Sequence, residues 1–383
     1  MKKLQEKFQK AVQEMNARFY ERQELSTIMV AATLARFHTF ILGSAGVAKS
    51  DMVRTLGSIF QDARIFDRPC HPTQSLSEVI GPIKVSEMKK GNDVYERKLV
   101  RYLADADIAF LDEMGRSSGP LRDAIMSIAN ERIYWNGDTL VECPLQCLFT
   151  GSNHLLTDSR DAAFMDRFLY CHVVADQIRE EKNFRKLIRR PTQSKPDVNI
   201  SIAELKKAQG EVKAMGLKFS ELTEDALYSI KEELLKEGIK ASPRTWRNLP
   251  TALSAFAYLE GDSELLPKHL EWLADALWTK PEERNVILAQ IGKVANPCLA
   301  EAVRKLDRLK SEYDAVPEDH TEPDWIKVVS AANGLAATVV SDLEDMINKS
   351  GETTRMKMLV SEAKGYKEDL KRRCGSVLGV NHV

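Results

Sequence analysis

38-HTFILGSAGVAKS-50 places an apolar strand directly before a glycine-bearing loop and a Lys-Ser pair. Parts in that order build a triphosphate-binding P-loop and imply ATP or GTP on this chain. Backbone N–H groups must converge on the phosphates. A Cβ at Gly43 or Gly46 would obstruct that approach or the turn, while Ser44, Ala45 and Val47 complete the cradle. Lys49 supplies a point charge for the β- and γ-phosphates, and Ser50 offers a hydroxyl to Mg²⁺. The helix they open has Asp51 in its first turn and Met52, Val53, Leu56, Ile59 and Phe60 on one face. It aims its positive end at the same anion. Ala48 departs from the strict pattern GxxxxGK[ST], standing where the last glycine is expected.

A chain of 383 residues, 43% apolar and 29% charged, can bury sizeable cores, and its length suggests two or three domains. The formal net charge is −1, so no global basic field makes nucleic acid an obligatory partner. Basic runs at Arg185, Lys186, Arg189 and Arg190, and at Lys371 to Arg373, read as solvated helix faces. The charged amino terminus lacks a signal peptide's apolar stretch, and no stretch reaches membrane-spanning length, so membrane insertion is not expected. Six cysteines without a paired framework suit reduced thiols and a cytoplasmic location. Cys143 and Cys147 with His154 and His172 form a conceivable zinc set, but the cysteine pair has the wrong local turn signature.

Helical periodicity fills residues 2 to about 36 and feeds the first strand. Apolar runs follow at 63–67, 107–111, 146–150 and 169–174, separated by helical or irregular segments. Near-continuous apolar strands alternating with helices imply a parallel sheet covered on both faces, here five-stranded, with ligands at the carboxyl ends of the strands. Two insertions interrupt it, at 76–101 and 131–142. The second reads as a hairpin around Asn136-Gly137. After a polar linker, amphipathic helices near 201–214, 223–237 and 243–260 and a leucine stripe at 266, 270, 273 and 277 predict an all-α lid. Beyond Pro297, two stripes predict a helical hairpin broken between Val316 and Pro323. The expected organisation is an α/β core over 1–190, an all-α lid over 191–296 and a helical carboxyl-terminal segment over 297–383.

Asp112 and Glu113 end an apolar strand beside the loop. In a nucleoside triphosphatase the first acid coordinates Mg²⁺ and the second activates the attacking water. As an alternative, the pair caps the helix near 118–130. Asn153, after the strand at 147–150, is positioned to hold the hydrolytic water or simply to make a turn. Arg167 precedes the next strand and could reach a neighbouring subunit's nucleotide, with Arg160 as the competing candidate and Asp166 as a local partner. Ser242-Pro243-Arg244 carries a helix-start signature. Arg244 and Arg247 therefore sit where the macrodipole disfavours cations, which calls for an anion: a nucleotide phosphate or a surface carboxylate.

With GSAGVAKS, FLDE, GSN, the Asp166-Arg167 pair and SPR in that order, the chain resembles the MoxR group of AAA+ ATPases, and most of all its RavA-like branch. The likeness covers roughly residues 15–290 and includes FYERQE before the first strand and NERIYWNGDTLVECP in the hairpin region. The resemblance implies an AAA+ fold and a homo-oligomer, hexameric or otherwise ring-forming, that hydrolyses ATP with Mg²⁺ to remodel or activate a protein client, often one with a von Willebrand factor A domain. It also implies that residues 76–101 form an insert facing the ring's pore. The RavA-like branch carries an inserted β-rich domain between its helical segments; residues 297–383 are too short and too helical to hold it. Two other classes share the core: a nucleic-acid motor, which would use Lys84, Lys89, Lys90, Arg97 and Lys98, and a nucleotide-gated scaffold, against which the presence of both Asp112 and Glu113 argues.

Overall fold

The computed structural model describes residues 2–85, 95–156, 164–189, 195–317, 324–350 and 354–378. Two helices lead, α1 (Lys2–Arg18) and α2 (Gln23–Ala35). α2 is apolar on all sides and buried from Leu25 to Ala35, because it lies between the sheet and the helices of the lid. Seven strands follow among the described residues: β1 (Thr39–Leu42), β2 (Ile65–Pro69), β3 (Ile108–Asp112), β4 (Ile133–Asn136), β5 (Thr139–Glu142), β6 (Cys147–Ser152) and β7 (Tyr170–Val173).

Five of them form one parallel sheet in the order β2-β3-β6-β1-β7, with Thr39 opposite Phe149 on one side and Tyr170 on the other. The expected α/β sheet is therefore present, and its composition explains the order. The central strand β6 is buried at every residue and β3 at all but its last, while the edge strand β2 alternates with exposed and charged residues. β1 sits in the interior of the order, so the loop that leaves it emerges between the ends of β6 and β7. β4 and β5 pair separately as the antiparallel hairpin anticipated from Asn136-Gly137, with Gly137 at φ +62°.

The helices of the α/β part are α3 (Lys49–Ile59), α4 (Leu76–Val79), α5 (Gly119–Glu131) and α6 (Glu181–Ile188). Those of the lid are α7 (Ile202–Met215), α8 (Glu221–Lys236), α9 (Pro243–Glu260), α10 (Ala274–Leu277) and α11 (Glu283–Ala295). Serines 201, 220 and 242 cap α7, α8 and α9 through side-chain oxygens that accept backbone N–H groups. The leucine stripe at 266–277 becomes a 3₁₀ turn, Pro267–Leu273, run into α10. Phe256 of α9 stacks on Trp272 with centroids 4.2 Å apart, and Tyr170 of β7 donates to the Ala252 carbonyl of α9 at 3.1 Å. Sheet and lid thus share one core.

The carboxyl-terminal pair expected beyond Pro297 is α12 (Pro297–Asp314) and α13 (Trp325–Ser350), and a third helix, α14 (Thr354–Leu378), packs on both. Tyr313 donates to Asp369 at 2.6 Å and Lys305 pairs with Asp342 at 2.6 Å, joining α12 to the other two. α13 corrects the sequence reading on one point. Its residues Trp325–Asn348 are long and apolar enough, at a mean hydropathy of 1.2, to cross a bilayer by length and composition. Ala and Val raise that average, but the helix spends its apolar stripe on α12 and α14, with Val329, Ala332, Ala336, Val339 and Leu343 buried at helical spacing.

Candidate nucleotide site

The loop from Gly43 to Ala48 joins β1 to α3, as the sequence requires. Gly43 is held where a Cβ would lie 3.1 Å from the Cβ of Val174, and Gly46 adopts φ +89°, so the two glycines serve a close approach and a turn respectively. Ala48, in place of the expected glycine, still takes that residue's left-handed conformation at φ 72°. Ser44 Oγ donates to Asp176 Oδ1 at 2.7 Å, which ties the loop to the segment after β7. Ser50 lies half-buried in the first turn of α3. Asp51 beside it is exposed, its carboxylate 3.6 Å from Arg54.

Lys49 is buried, and its ammonium donates to the carbonyls of Gly43 (2.5 Å) and Ser44 (3.2 Å) and to Asn153 Oδ1 (3.0 Å). Asp112 approaches from β3. A Cβ built on Gly151 would meet Asp112 Oδ1 at 2.3 Å and Lys49 Cε at 3.1 Å. Only a glycine at 151 lets the lysine and the acid flank the same point of β6. Asp112 Oδ1 is buried with no hydrogen-bond partner. An orphaned carboxylate oxygen beside a lysine and a phosphate-binding loop fits a hard divalent cation, which takes oxygen ligands. Glu113, half-buried, takes the left-handed conformation at φ 55° while its N–H donates to Gly151 O at 2.8 Å. Backbone strain of order 1 kcal/mol at a side chain aimed off a strand end is common where function fixes the geometry.

Arg167 and Arg244 are brought together by one acid. Asp166 Oδ2 lies 3.6 Å from Arg167 Nη1 and 3.5 Å from Arg244 Nη1. The anion called for at the start of α9 is thus a carboxylate of the α/β part. Arg160 lies outside the described residues. The conceivable zinc set is not assembled. Cys147 Sγ is buried and donates to Phe37 O at 2.8 Å, burial pushes the Cys143 thiol up to about 11, and His172 faces Asp275 instead. Two acid-histidine clusters are ion-pair knots rather than metal centres. His269 accepts the Leu266 N–H on Nδ1, so its Nε2 carries the proton shared with Asp262, and Lys268 occupies the same carboxylate at 2.7 Å. Glu24, His172 and Asp275 are neutralised by Arg284 and Arg355.

Beside the loop lies a cavity of about 670 Å³. Val174, which packs on Gly43, lines it, as do Glu21 and Arg22 from the turn between α1 and α2 and Arg284 from the lid. Arg22 donates to Ala175 O at 2.7 Å, and Glu21, at φ 56°, accepts the N–H groups of Arg179 and Glu180 at 2.9 Å each. Sequence reasoning passed over Asp176, the crowding at Gly151 and this cavity. Asp176 was within reach, since it too is a polar residue just past a strand's carboxyl end.

Residues 6–209 match the family profile described as the MoxR domain in the MoxR-vWA-beta-propeller ternary systems, and residues 223–291 match an AAA lid domain. The chain belongs to the MoxR group of AAA+ ATPases. Two uncharacterized proteins of Methanocaldococcus jannaschii are each 34% identical to this MoxR chain. One matches over 94% of the chain and 97% of its own length, the other over 81% and 80%. A structural protein of Acidianus two-tailed virus is 22% identical over 43% of the chain and 27% of its own length. Among solved structures, a candidate ATPase of Cytophaga hutchinsonii has the same fold. It shares a TM-score of 0.59 at 17% identity, with 79% of this chain and 94% of that one covered.

Proposed function

We propose that this MoxR chain is a ring-forming ATPase that couples Mg-ATP hydrolysis to the remodelling or activation of a protein partner. The observation that carries the reading is the convergence on Gly151 of Lys49, Asp112 and the end of β6 bearing Asn153. Lys49 and the N–H groups of residues 43–51 would hold the phosphates, while Ser50 and Asp112 would hold the Mg²⁺. Bound there, the metal neutralises charge developing on the phosphoryl oxygens. The nucleoside would extend from the Gly43 end of the loop toward the cavity lined by Val174 and Arg22.

Glu113 accepts a proton from the attacking water and Asn153 orients that water. In the structure Lys49 is engaged by loop carbonyls and Asn153, so phosphate must replace those contacts. Arg167 acts on a neighbour's nucleotide and Arg244 reports nucleotide state from the lid. Asp166, which faces both, couples the two arginines. A partner with a von Willebrand factor A domain agrees with the systems named in the family's description. The hairpin tip supports a protein client, because the cross-strand pair Trp135 and Leu140 is solvent-exposed.

The nucleic-acid alternative loses ground on two of the insert's cations, Lys84 and Arg97; Lys89 and Lys90 lie outside the described residues. Lys84 pairs with Glu96 at 2.7 Å, and Arg97 donates to Gly81 O and Ser77 Oγ. Calorimetry with Mg-ATP followed by affinity capture on the Glu113→Gln variant tests the proposal. Nucleotide-dependent assembly that retains a protein client is the expected result; no nucleotide binding by folded protein would overturn it.

A further inference from the structure

The cavity beside Val174 has one wall that neither the α/β part nor the lid supplies. Met358, Ser361, Gly365 and Tyr366 of α14 line it, together with Lys310 of α12. That wall is fixed. Arg355, buried in the first turn of α14, reaches Asp275 of the lid at 3.0 and 3.2 Å and pairs with Glu24 of α2. Beyond it Met356, Leu359, Val360, Ala363, Tyr366 and Leu370 are buried where α14 packs on α12 and α13. Against this wall lies a side chain of the α/β part, Arg179, which lines the same cavity.

Arg179 is held along its whole length. Its backbone N–H donates to Glu21 at 2.9 Å. Its stem runs against α14 at Gly365, where a Cβ would lie 3.2 Å from Arg179 Cβ and 3.9 Å from its Cδ. Glycine inside a helix costs about 1 kcal/mol relative to alanine, and here its bare Cα makes room for the arginine. The guanidinium carbon lies 4.2 Å from the centroid of the Tyr366 ring, and Nη1 is 3.7 Å from Glu362, which also pairs with Lys310 at 3.0 Å. Tyr366 in turn meets the Tyr313 ring of α12 edge-on, with centroids 4.8 Å apart. Even so, the Arg179 side chain keeps 30% of its surface exposed.

A guanidinium is a planar, weakly hydrated cation that stacks on π-systems, nucleobases among them. Tyr366 takes one face of this one and Glu362 faces its edge. The plane is thus oriented in advance, at the border of a cavity of about 670 Å³, a size usual for small-molecule sites. We infer that Arg179 is the platform on which the nucleobase stacks, and that α14 sets the platform through Gly365, Glu362 and Tyr366. The inference rests on the nucleotide reading above, which brings the nucleoside toward this cavity. It gives the carboxyl-terminal unit a part in recognising the base rather than the phosphates. Since a purine covers more of a guanidinium plane than a pyrimidine does, Arg179 favours ADP over UDP.

Calorimetry on the full chain with Mg-ADP, Mg-UDP and Mg-tripolyphosphate, which has no base, tests this. Arg179→Ala should weaken Mg-ADP about tenfold, the scale of losing one base-stacking partner, and narrow its preference over Mg-UDP while leaving Mg-tripolyphosphate within about twofold of wild type. Arg179→Lys keeps the charge but not the plane and should behave like the alanine variant. Gly365→Ala keeps every charge and favours the helix, yet should weaken Mg-ADP several-fold by displacing the arginine; it carries the test if the Arg179 variants fail to fold. Wild-type Mg-ADP affinity in folded Arg179→Lys or Gly365→Ala chains, or equal losses for Mg-ADP and Mg-tripolyphosphate, overturns the platform. Failure of the folded wild type to bind Mg-ADP overturns the nucleotide reading, and the platform with it.

Discussion

Lys49 Nζ donates to Asn153 Oδ1 at 3.0 Å, joining the start of α3 to the end of β6 across 104 positions of sequence. The pair puts the cation proposed to hold phosphate in contact with the amide proposed to orient water. Lys49→Ala should therefore abolish nucleotide binding in calorimetry. Asn153→Ala should leave binding within a few-fold of wild type but lower turnover about 10²-fold, the scale of losing one positioned polar group. Comparable loss of affinity in both variants would assign Asn153 to binding instead.

Glu113→Gln removes the proposed proton acceptor and keeps the side chain's shape. Turnover should fall about 10²–10⁴-fold with Mg-ATP affinity retained, as measured by steady-state phosphate release and calorimetry on the same preparation. Unchanged hydrolysis would take Glu113 out of the general-base role.

Ala48 holds a conformation that suits glycine, at φ 72°. Ala48→Gly should relieve about 1 kcal/mol of backbone strain, raising the urea midpoint without changing the m-value. It also restores the loop's usual glycine, so nucleotide affinity should hold or rise.

His38 carries a pH dependence unrelated to the site. Burial, aided by Arg132, lowers its pKa from 6.5 to about 4, and the neutral ring bridges Ala129 O (2.8 Å) and the Leu148 N–H (3.0 Å). The unfolded chain takes up this proton first. Its contribution is complete above about pH 6.5 and is lost as pH falls toward 4, where it amounts to about 3 kcal/mol. Denaturation across that window should show the loss, and His38→Gln should flatten that part of the curve.

The phosphate cradle and the acids at strand ends were legible because their chemistry is local. A loop needs glycine at Gly46 for a turn, and Asp112 must follow the apolar run of its own strand. Gly151 was not legible. Its role comes from β3 and α3 approaching β6 from elsewhere in the chain, and the residues around it do not encode that crowding. The leucine stripe gave the right face but not the helix type, since a 3₁₀ turn can also bury Leu270 and Leu273. The third carboxyl-terminal helix escaped because its sequence is rich in Lys, Arg and Glu. Its apolar stripe of Met356, Leu359, Val360, Ala363 and Leu370 is recognisable only once α12 and α13 stand opposite. Arg355, a cation at the head of that helix, offers no sequence signal of burial at all.

That arginine also sets the order of events on the ribosome. Glu24 is made long before its partner Arg355. While translation proceeds, the acid can be balanced by Arg284 but never enclosed by the final helix. A nascent chain can thus finish its sheet and lid with the cavity beside Val174 still open on one side until α14 has been made.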